Sequence, residues 1–391
     1  MNSPDVMRRR LGVGLILGCA AAVPLSRALI SFDDGRQKIF VNITASVTED
    51  SNVFMSSDNR RDLVYGASLS AEYTRRSGWI GVNAAMSVDS SRFSSLQDQD
   101  FDNPAFRLEL LKQGGRTTGS FNLAASRESR ADPSVNTRST FWNVPMGLSV
   151  RYPLAGAYTV SSSLNYSSRD YLDEKAFASL DTYSTSLDIV RIMSSVREVY
   201  AGYRYRFSET SRDTSSADHA FSIGLSGKLI RGLNGNLRAG LQTRSATGRL
   251  PGNDKYTSWF ASGSTSYEVS RKLRLTGSIS KDYSTTATDD IVDTTNLSIS
   301  ARYAATAKIN LSLSTSYGES EYVGQAAANL PGGKPASNRK DRFISSDLSL
   351  SYTLNEHWQS SVTYSQFLNT STFTLADFNR STWNANVSSR W

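Results

Sequence analysis

The sequence contains one cysteine, two histidines and, beyond its first thirty residues, no long hydrophobic run. The single cysteine, Cys19, lies in the N-terminal apolar stretch, so the rest of the chain has no disulfide and no thiolate metal site. A membrane helix requires roughly 20 consecutive apolar residues, whereas the mean hydropathy here is -0.37. These absences exclude a helical membrane protein but not a membrane β-barrel, whose strands carry apolar residues in alternation.

The scarcity of histidine also argues against catalysis. His219 lies near a long polar segment and His357 at a short turn, so the predicted topology places them at opposite ends of the molecule. General acid-base or nucleophilic chemistry needs such a group beside its partner at one site. No metal-ligand spacing and no phosphate-binding loop is present. We therefore expect no enzyme activity, no catalytic or metal site and no cofactor.

Charge is the next feature that limits function. The formal net charge is +7, but the Lys and Arg residues are scattered along polar faces instead of forming one basic stripe. We expect no nucleic acid partner.

The first 28 residues have the organisation of a secretory signal peptide. Arg8, Arg9 and Arg10 precede an apolar segment from Leu11 to about Leu25, and Ser26-Arg27-Ala28 provides a small-x-small cleavage site. Two roles are open for Cys19. It is an incidental residue of the signal peptide, or Ile16-Leu17-Gly18-Cys19 is a lipoprotein cleavage site at which Cys19 is acylated. We divide the chain into a signal peptide (1-28), a short periplasmic segment (29-36) and a barrel (37-391).

Strict alternation of apolar and polar residues runs through the remaining chain. In VREVYAGYRYRF, residues 196-207, Val199, Tyr203 and Phe207 share one face, and Arg204 and Arg206 lie on the other. A period of two over so many residues predicts strands with one apolar and one polar face. Eight short turns alternate with nine longer polar loops, which gives seventeen connections and eighteen antiparallel strands.

The asymmetry between short turns and long loops is typical of outer-membrane barrels. A soluble β-sandwich also alternates, but its core needs large branched residues, whereas many apolar positions here carry small residues such as Ala71, Ala239 and Gly227. Tryptophans collect near both ends of the apolar faces, as in the aromatic girdles of barrels, although Trp79 departs from this pattern. The predicted fold is therefore all-β, a transmembrane antiparallel up-and-down β-barrel of about 18 strands with short periplasmic turns and long extracellular loops, in the outer membrane of a Gram-negative bacterium.

The strand phases assign charged residues to the lumen. The inward acidic residues are Glu72, Glu109, Asp188, Glu198 and Asp282. The candidate pore-lining basic residues are Arg107, Arg151, Arg204, Arg206, Arg238, Arg244, Lys272, Arg274, Arg302 and Lys308. A basic excess in a confined aqueous pore favours anions, while the alternative is that these charges pair with one another and only solvate the wall.

Four aromatic residues fall on the polar phase: Phe141, Tyr200, Phe260 and Phe367. They are candidates for stacking against sugar rings in a pore, or for anchoring a loop that folds inward. The longest loop, from about Glu321 to Lys340, is the candidate inward-folding plug.

One segment resembles a known family. FVNITASVTEDSNVFMSSDNRRDLVYGASLSAEYTRR, residues 40-76, has a strand, a loop with Asp50-Ser51-Asn52-Val53-Phe54 and a second strand, and it is similar to the opening of outer-membrane β-barrel porins encoded in exopolysaccharide gene clusters. The resemblance covers roughly residues 37-391. It implies a role in polysaccharide secretion together with periplasmic export proteins, and defines no site residues.

Two functions follow as expectations. One is a conduit or accessory component for exopolysaccharide secretion with a net basic lumen; the other is an anion-preferring diffusion porin or a structural outer-membrane barrel. Both imply outer-membrane lipid as surroundings. Both also imply insertion by the barrel assembly machinery, since the C-terminal strand ends on an aromatic residue, Trp391, and so resembles its recognition signal.

Overall fold

The computed structural model describes residues 30-32, 36-76, 78-133, 137-173, 175-248, 254-323, 339-373 and 376-391. The predicted signal peptide, with Cys19, lies outside these described residues.

The described chain is almost entirely antiparallel β-sheet. Its strands are β1 (Ile30–Phe32), β2 (Gln37–Asp50), β3 (Asp62–Arg75), β4 (Gly81–Phe93), β5 (Phe101–Lys112), β6 (Thr118–Asp132), β7 (Thr137–Pro153), β8 (Tyr158–Tyr171), β9 (Leu180–Ser194), β10 (Arg197–Thr210), β11 (Ser215–Ile230), β12 (Leu233–Thr247), β13 (Asp254–Glu268), β14 (Leu273–Thr285), β15 (Ile291–Ala304), β16 (Ile309–Tyr322), β17 (Lys340–Thr353), β18 (Trp358–Ser371) and β19 (Phe378–Arg390). A 3-10 turn follows β4 at Gln97–Gln99. None of the helices in the described ranges is long and apolar enough to cross a membrane.

The sheet closes on itself. Each strand from β2 to β19 pairs with its sequence neighbours, and β19 pairs with β2 from Thr382↔Asp50 to Arg390↔Asn42. The prediction of an eighteen-strand antiparallel barrel is therefore confirmed. Closing the sheet removes the free edges that an open sheet would expose.

One short strand was not predicted. β1 lies in the segment 29-36, which was expected only to be periplasmic, and pairs with β2 from Ile30↔Ile39 to Phe32↔Gln37. The last residue, Trp391, exchanges two backbone hydrogen bonds with Val41. β1 thus continues along the edge of β2 where the C-terminal strand stops.

The connections alternate as the sequence predicts. The short ones are 76-80, 113-117, 154-157, 195-196, 231-232, 269-272, 305-308 and 354-357. In the two-residue turn 231-232, Gly232 has φ +83°, which a residue without a side chain adopts without strain. At the other end, β6 and β10 run on to Asp132 and Thr210 within segments predicted to be loops, so these hairpins extend beyond the predicted strand ends.

The two faces of the barrel differ in chemistry. On the outer face large apolar side chains are exposed, with Ile223 at 72%, Ile299 at 68% and Leu241 at 67% of their surface. Outer-face aromatics at the loop end include Trp259 and Trp383, both at least half exposed. A belt of exposed apolar side chains bounded by aromatic residues is what a barrel presents to lipid.

The inner face carries contacts between strands that are not neighbours. Arg151 of β7 reaches Glu198 of β10 at 2.5 Å, and Arg238 of β12 reaches Asp188 of β9 at 2.7 Å. Side chains three strands apart can meet only across the concave side of a barrel wall. Contacts of this kind therefore identify which side chains point into the lumen.

Candidate functional site

A cluster of alternating charges occupies the inner wall between β10 and β14. Arg204 donates to both carboxylate oxygens of Asp282 at 2.9 and 3.0 Å, and Arg206 donates to the same carboxylate at 3.1 Å. Arg206 also binds Asp218, and Asp218 in turn accepts two bonds from Arg244, at 2.6 and 2.8 Å. Three guanidinium groups and two carboxylates thus form one continuous network, and each carboxylate is shared between two arginines.

Aromatic rings lie beneath two arginines of the inner wall, Arg204 and Arg238. Arg204 lies over the Phe260 ring at 5.1 Å and Arg238 over the Tyr200 ring at 4.8 Å. Glycines on the adjacent strand make room for both rings, since a side chain at Gly240 would collide with Phe260 and one at Gly224 with Tyr200. The inner wall is therefore built in two layers, with rings flat against the sheet and guanidinium groups over them.

The barrel wall is interrupted between β13 and β14. These strands pair only from Ala261↔Lys281 to Glu268↔Arg274, although β14 and β15 stay paired up to Thr285↔Ile291. Beyond Lys281 the β14–β15 hairpin turns into the lumen. Its outward-phase residues Tyr283 and Ile291 then pack against Ala246 of the inner face of β12.

An ion pair lies at this interruption. Lys281 and Asp293 are on the phase of their strands that faces outward elsewhere, and they contact each other at 2.7 Å with only 12% and 11% of their side chains exposed. Ser258 of β13 donates to the Asp293 carboxylate at 2.9 Å, and Lys281 lies 5.3 Å from the ring centre of Trp259. The gap in the wall is thus filled by polar side chains.

The tip of the hairpin, residues 286-290, crosses the mouth of the barrel at its long-loop end. The Ala178 N–H donates to the Ala287 carbonyl at 2.8 Å, and the Thr214 hydroxyl donates to the Asp289 carboxylate at 2.6 Å. Ala287 also packs in a buried cluster with Phe141, Tyr171 and Phe177. The tip is therefore held by the loops that follow β8 and β10. The inward plug was predicted at about 321-340, but residues 324-338 lie outside the described residues.

A cavity of about 510 Å³ lies in the lumen beneath this crossing segment. Arg206 and Arg244 line one side of it and Arg130 and Arg169 another, and among the described residues that line it Asp132 is the one carboxylate. Asp218 and Asp282 are not part of the lining. Hydroxyl groups line the cavity on Thr182, Ser208, Tyr283, Ser284, Thr285, Thr286, Thr294, Ser320 and Tyr322, and apolar surface comes from Ala131, Pro133, Leu180, Ala287 and Val292. A solute in the cavity therefore meets guanidinium groups and hydroxyls.

The predicted pore-lining residues fall into three groups. Arg151, Arg204, Arg206, Arg238, Arg244 and Arg274 are all engaged in ion pairs. Arg107 and Arg302 lie on strands and are exposed. Lys272 and Lys308 lie in the turns 269-272 and 305-308, because β14 and β16 begin one residue after each of them, so they belong to the short-turn rim and not to the strand wall.

The four polar-phase aromatics are packed against protein. Phe141 is 1%, Phe260 3% and Tyr200 8% exposed, and Phe367 stacks between Phe343 and Phe378 at centroid distances of 5.3 and 5.5 Å. Of the two roles considered for these rings, Phe141 has that of an anchor, since it contacts Ala287 of the inward-folded segment. Burial leaves little ring surface on Phe141, Tyr200 and Phe260 for stacking on a sugar.

The motif Asp50-Ser51-Asn52-Val53-Phe54 organises the loop after β2. The Asp50 carboxylate accepts from Arg380 of β19 at 2.7 Å and from the Asn52 backbone N–H at 2.9 Å. The Asn52 side chain is fully buried and donates to the Ser56 carbonyl at 2.7 Å. Val53 is fully buried in a cluster with Phe93 and Leu96. These contacts give the motif a structural role in folding this loop over the barrel mouth.

The two histidines have separate surroundings. The His219 ring lies on β11 and contacts the Tyr203 hydroxyl at 2.7 Å, whereas His357 lies in the turn 354-357 and stacks on Trp391 at 4.1 Å. Within the described ranges no group of three or more His, Cys, Asp or Glu side chains is arranged to hold a metal ion.

Sequence reasoning did not identify Arg130, Arg169 or the inward hairpin. The alternation along a strand predicts which side chains point into the lumen. Tyr283 and Asp293 are at positions that this alternation assigns to the outer face, and they enter the lumen only because the whole hairpin is displaced. One signal was available: Lys281 and Asp293 place charges on a phase that is otherwise apolar along β14 and β15. Charges on a lipid-facing phase are costly, so such a pair indicates a departure from the regular wall.

Comparison with known proteins gives structural neighbours only. No protein-family model matches the chain, and no curated protein does. Among solved structures, OccK2 (OpdF) of Pseudomonas aeruginosa matches with a TM-score of 0.48 and 12% identity, covering 92% of this chain and 99% of that one. OccK3 (OpdO) of the same organism matches with a TM-score of 0.46 and 11% identity, covering 91% and 95%. The FrpB iron transporter of Neisseria meningitidis, in its apoprotein form, matches with a TM-score of 0.48 and 10% identity over 85% of this chain, which spans 61% of the FrpB chain.

Proposed function

We propose that this protein is an outer-membrane diffusion channel that prefers small anionic solutes. The observation that carries the proposal is the cavity beneath the crossing segment 286-290, where the described lining residues include four arginines and one carboxylate, that of Asp132. Guanidinium groups in a confined, low-dielectric lumen lower the free energy of an anion and raise that of a cation. The exposed apolar belt with its aromatic borders supports placement in the outer membrane.

The balance of charge in the wall refines this proposal. Most of the predicted lumen arginines are paired with carboxylates, so the net charge of the wall alone gives little preference for anions over cations. Arg130 and Arg169 line the cavity together and both lie over the Phe141 ring, at 5.3 and 5.2 Å. Arg130 also pairs with Glu128 at 3.6 Å, but 55% of its side chain is exposed and the Glu128 carboxylate does not line the cavity. Selectivity thus arises from which groups face the solute.

Secretion of a polysaccharide is the competing function, and it rests on the sequence resemblance. A polymer requires a continuous path wide enough for a chain of sugar rings, and the segment 286-290 lies across that path at the mouth. The arrangement of the described residues therefore favours small solutes.

Single-channel recording of the purified protein in planar bilayers tests the proposal. With a KCl gradient across the bilayer, we expect a steady current whose reversal potential has the sign of anion selectivity, without any added partner. A cation-selective current, or none, would overturn the proposal. Deletion of the gene provides a second test: unchanged polysaccharide secretion is expected, and loss of secretion would favour the conduit instead.

A further inference from the structure

Two strand edges face the interruption of the wall without pairing with each other. On its other edge β13 is paired with β12 as far as Ala246↔Asp254. On its other edge β14 is paired with β15 as far as Thr285↔Ile291. Between them, however, the ladder stops at Ala261↔Lys281. On this edge of β14 the Tyr283 carbonyl accepts from Arg206 at 2.9 Å and the Tyr283 N–H donates to the Asp282 carboxylate at 2.8 Å, so side chains take up backbone groups that a regular ladder would use.

The register of the existing ladder defines how these edges would pair. Continuing it beyond Ala261↔Lys281 places Trp259 opposite Tyr283 and Ser258 opposite Ser284. In that arrangement Tyr283 would lie on the outer face beside Trp259, at the level of the outer aromatic girdle, where tyrosine is favoured. Lys281 and Asp293 would also face outward in this register, at the level of that girdle, where a charge costs less than at the middle of the membrane. The sequence of β14 is thus compatible with a place in the wall as well as with its place in the lumen.

Polar contacts hold the inward position: Arg206 donates to the Tyr283 carbonyl at 2.9 Å, Arg244 donates to the Ser284 carbonyl at 3.2 Å, and the Ala178 N–H donates to the Ala287 carbonyl at 2.8 Å. The Asp289 carboxylate and the Thr214 hydroxyl, 2.6 Å apart, would both be solvated if the tip moved out. The apolar contribution is the burial of Tyr283 and Ile291 against Ala246 and Tyr256, and of Ala287 in the cluster with Phe141, Tyr171 and Phe177. Extension of the β13–β14 ladder would replace the bond from Arg206 to the Tyr283 carbonyl with backbone hydrogen bonds to β13.

We propose that the β14–β15 hairpin is a gate with two positions. In the closed position, which the structure shows, residues 282-294 lie in the lumen and the tip crosses the mouth. In the open position β14 pairs with β13 along its whole length and the tip returns to the wall, so that the basic cavity joins the extracellular solvent. This inference goes beyond the proposed channel function, since it concerns the movement of a strand edge and not the choice of ion.

Pairs of introduced cysteines distinguish the two positions by which pair can form a cross-link. The only native cysteine lies in the predicted signal peptide, so it does not compete with the introduced pair. Ser258→Cys with Ser284→Cys gives opposite neighbours only in the open register. In the closed position the Ser258 side chain contacts Asp293 on one face of the hairpin, while Ser284 lines the cavity on the other. Thr214→Cys with Asp289→Cys instead joins two side chains that touch in the closed position. Ser262→Cys with Ser280→Cys, a pair within the existing ladder, is the matched control.

Each double variant is inserted into lipid, oxidised, and examined for cross-linking by mass spectrometry and for single-channel conductance. We expect the 258–284 cross-link to form and to raise conductance several-fold, reversibly on reduction. The 214–289 cross-link should abolish transitions to the high-conductance level, and the 262–280 cross-link should change neither. Failure of 258 and 284 to cross-link in a protein whose 262–280 control does cross-link would overturn the gate, as would a 258–284 cross-link without a change in conductance. Cross-linking is measured independently of ion preference, so failure of the gate and failure of anion selectivity are distinguishable.

Discussion

Arg244 and Asp218 form a bidentate ion pair on the inner wall of the barrel, and only 1% of either side chain is exposed. The same carboxylate also binds Arg206, so it separates two guanidinium groups that would otherwise face each other. Both arginines line the cavity in the lumen. Asp218 therefore fixes the positions of two guanidinium groups in the wall beside the cavity.

Asp218→Asn should destabilise the barrel strongly. Removing one partner of a buried ion pair leaves an uncompensated charge and costs about 3–5 kcal/mol. Urea unfolding of the lipid-reconstituted protein measures this cost. The matched control is Glu268→Gln, whose partner Arg274 is 60% exposed, for which we expect less than about 1 kcal/mol. Equal losses in both variants would contradict the buried role of Asp218.

Arg169→Gln and Arg130→Gln should weaken the preference for anions. A unit charge about 8 Å from the ion path, at an effective dielectric constant of about 40, contributes on the order of 1 kcal/mol. The anion-to-cation permeability ratio from reversal potentials should therefore fall several-fold in each variant. Arg302→Gln, on the wall near the short turns, should cause a smaller shift because it does not line the cavity. A larger shift for Arg302→Gln would place the selectivity filter elsewhere.

Charge on the outer face should impair stability according to depth. Ile299 lies on β15 between the outer-face aromatics Tyr317 and Tyr303 and is 68% exposed, so Ile299→Arg should cost about 2–4 kcal/mol. Leu311 is paired with Tyr303 near the short-turn end, and Leu311→Arg should cost about 0–1 kcal/mol for that reason. Equilibrium folding into lipid vesicles compares the two. Equal costs would show that the belt does not contact lipid as described.

Acidic pH should favour the closed gate through Asp290, which lies in the crossing segment outside the strands. Burial raises the pKa of this carboxyl, against the opposing effects of the Thr288 hydroxyl and of Arg339 and Arg212, while neighbouring Asp289 raises it further. With a pKa raised in the closed position, protonation stabilises that position fully below the ordinary aspartate pKa, and the effect is lost as pH rises through the raised pKa.

Conductance measured against pH checks this expectation. The wild type should conduct less as the pH falls into this window, and Asp290→Asn should remain at the low level throughout, because it is permanently neutral. Asp58→Asn, in the exposed part of the loop after β2, serves as the control and should retain the wild-type profile. A wild-type profile in Asp290→Asn would rule out this carboxyl as the titrating group.

The barrel itself was predictable because the pattern of each strand depends only on the residues of that strand. A strand with one face in lipid and one in water repeats every two residues, and the turn signals between strands fix their number, so β10 or β15 can be found from its own residues. The inward hairpin was not predictable in this way. Tyr283 lies in the lumen, where it packs with Ala246 of β12 and Tyr256 of β13, and a contact between residues on different strands does not show in the alternation along β14. The pairing of most lumen arginines likewise depends on which strands lie across the barrel from one another.

The hydrogen bonds between Val41 and Trp391 have a consequence for how the molecule forms. They join the first strand of the closed sheet to the end of the last one, so this contact has nearly the largest sequence separation that the chain allows. Contacts of high sequence separation are slow to form, because the chain must lose its freedom before the contact stabilises it. Until β19 arrives, the edge of β2 beyond its contact with β1 stays open to other chains, so closure of the barrel also protects this edge from aggregation.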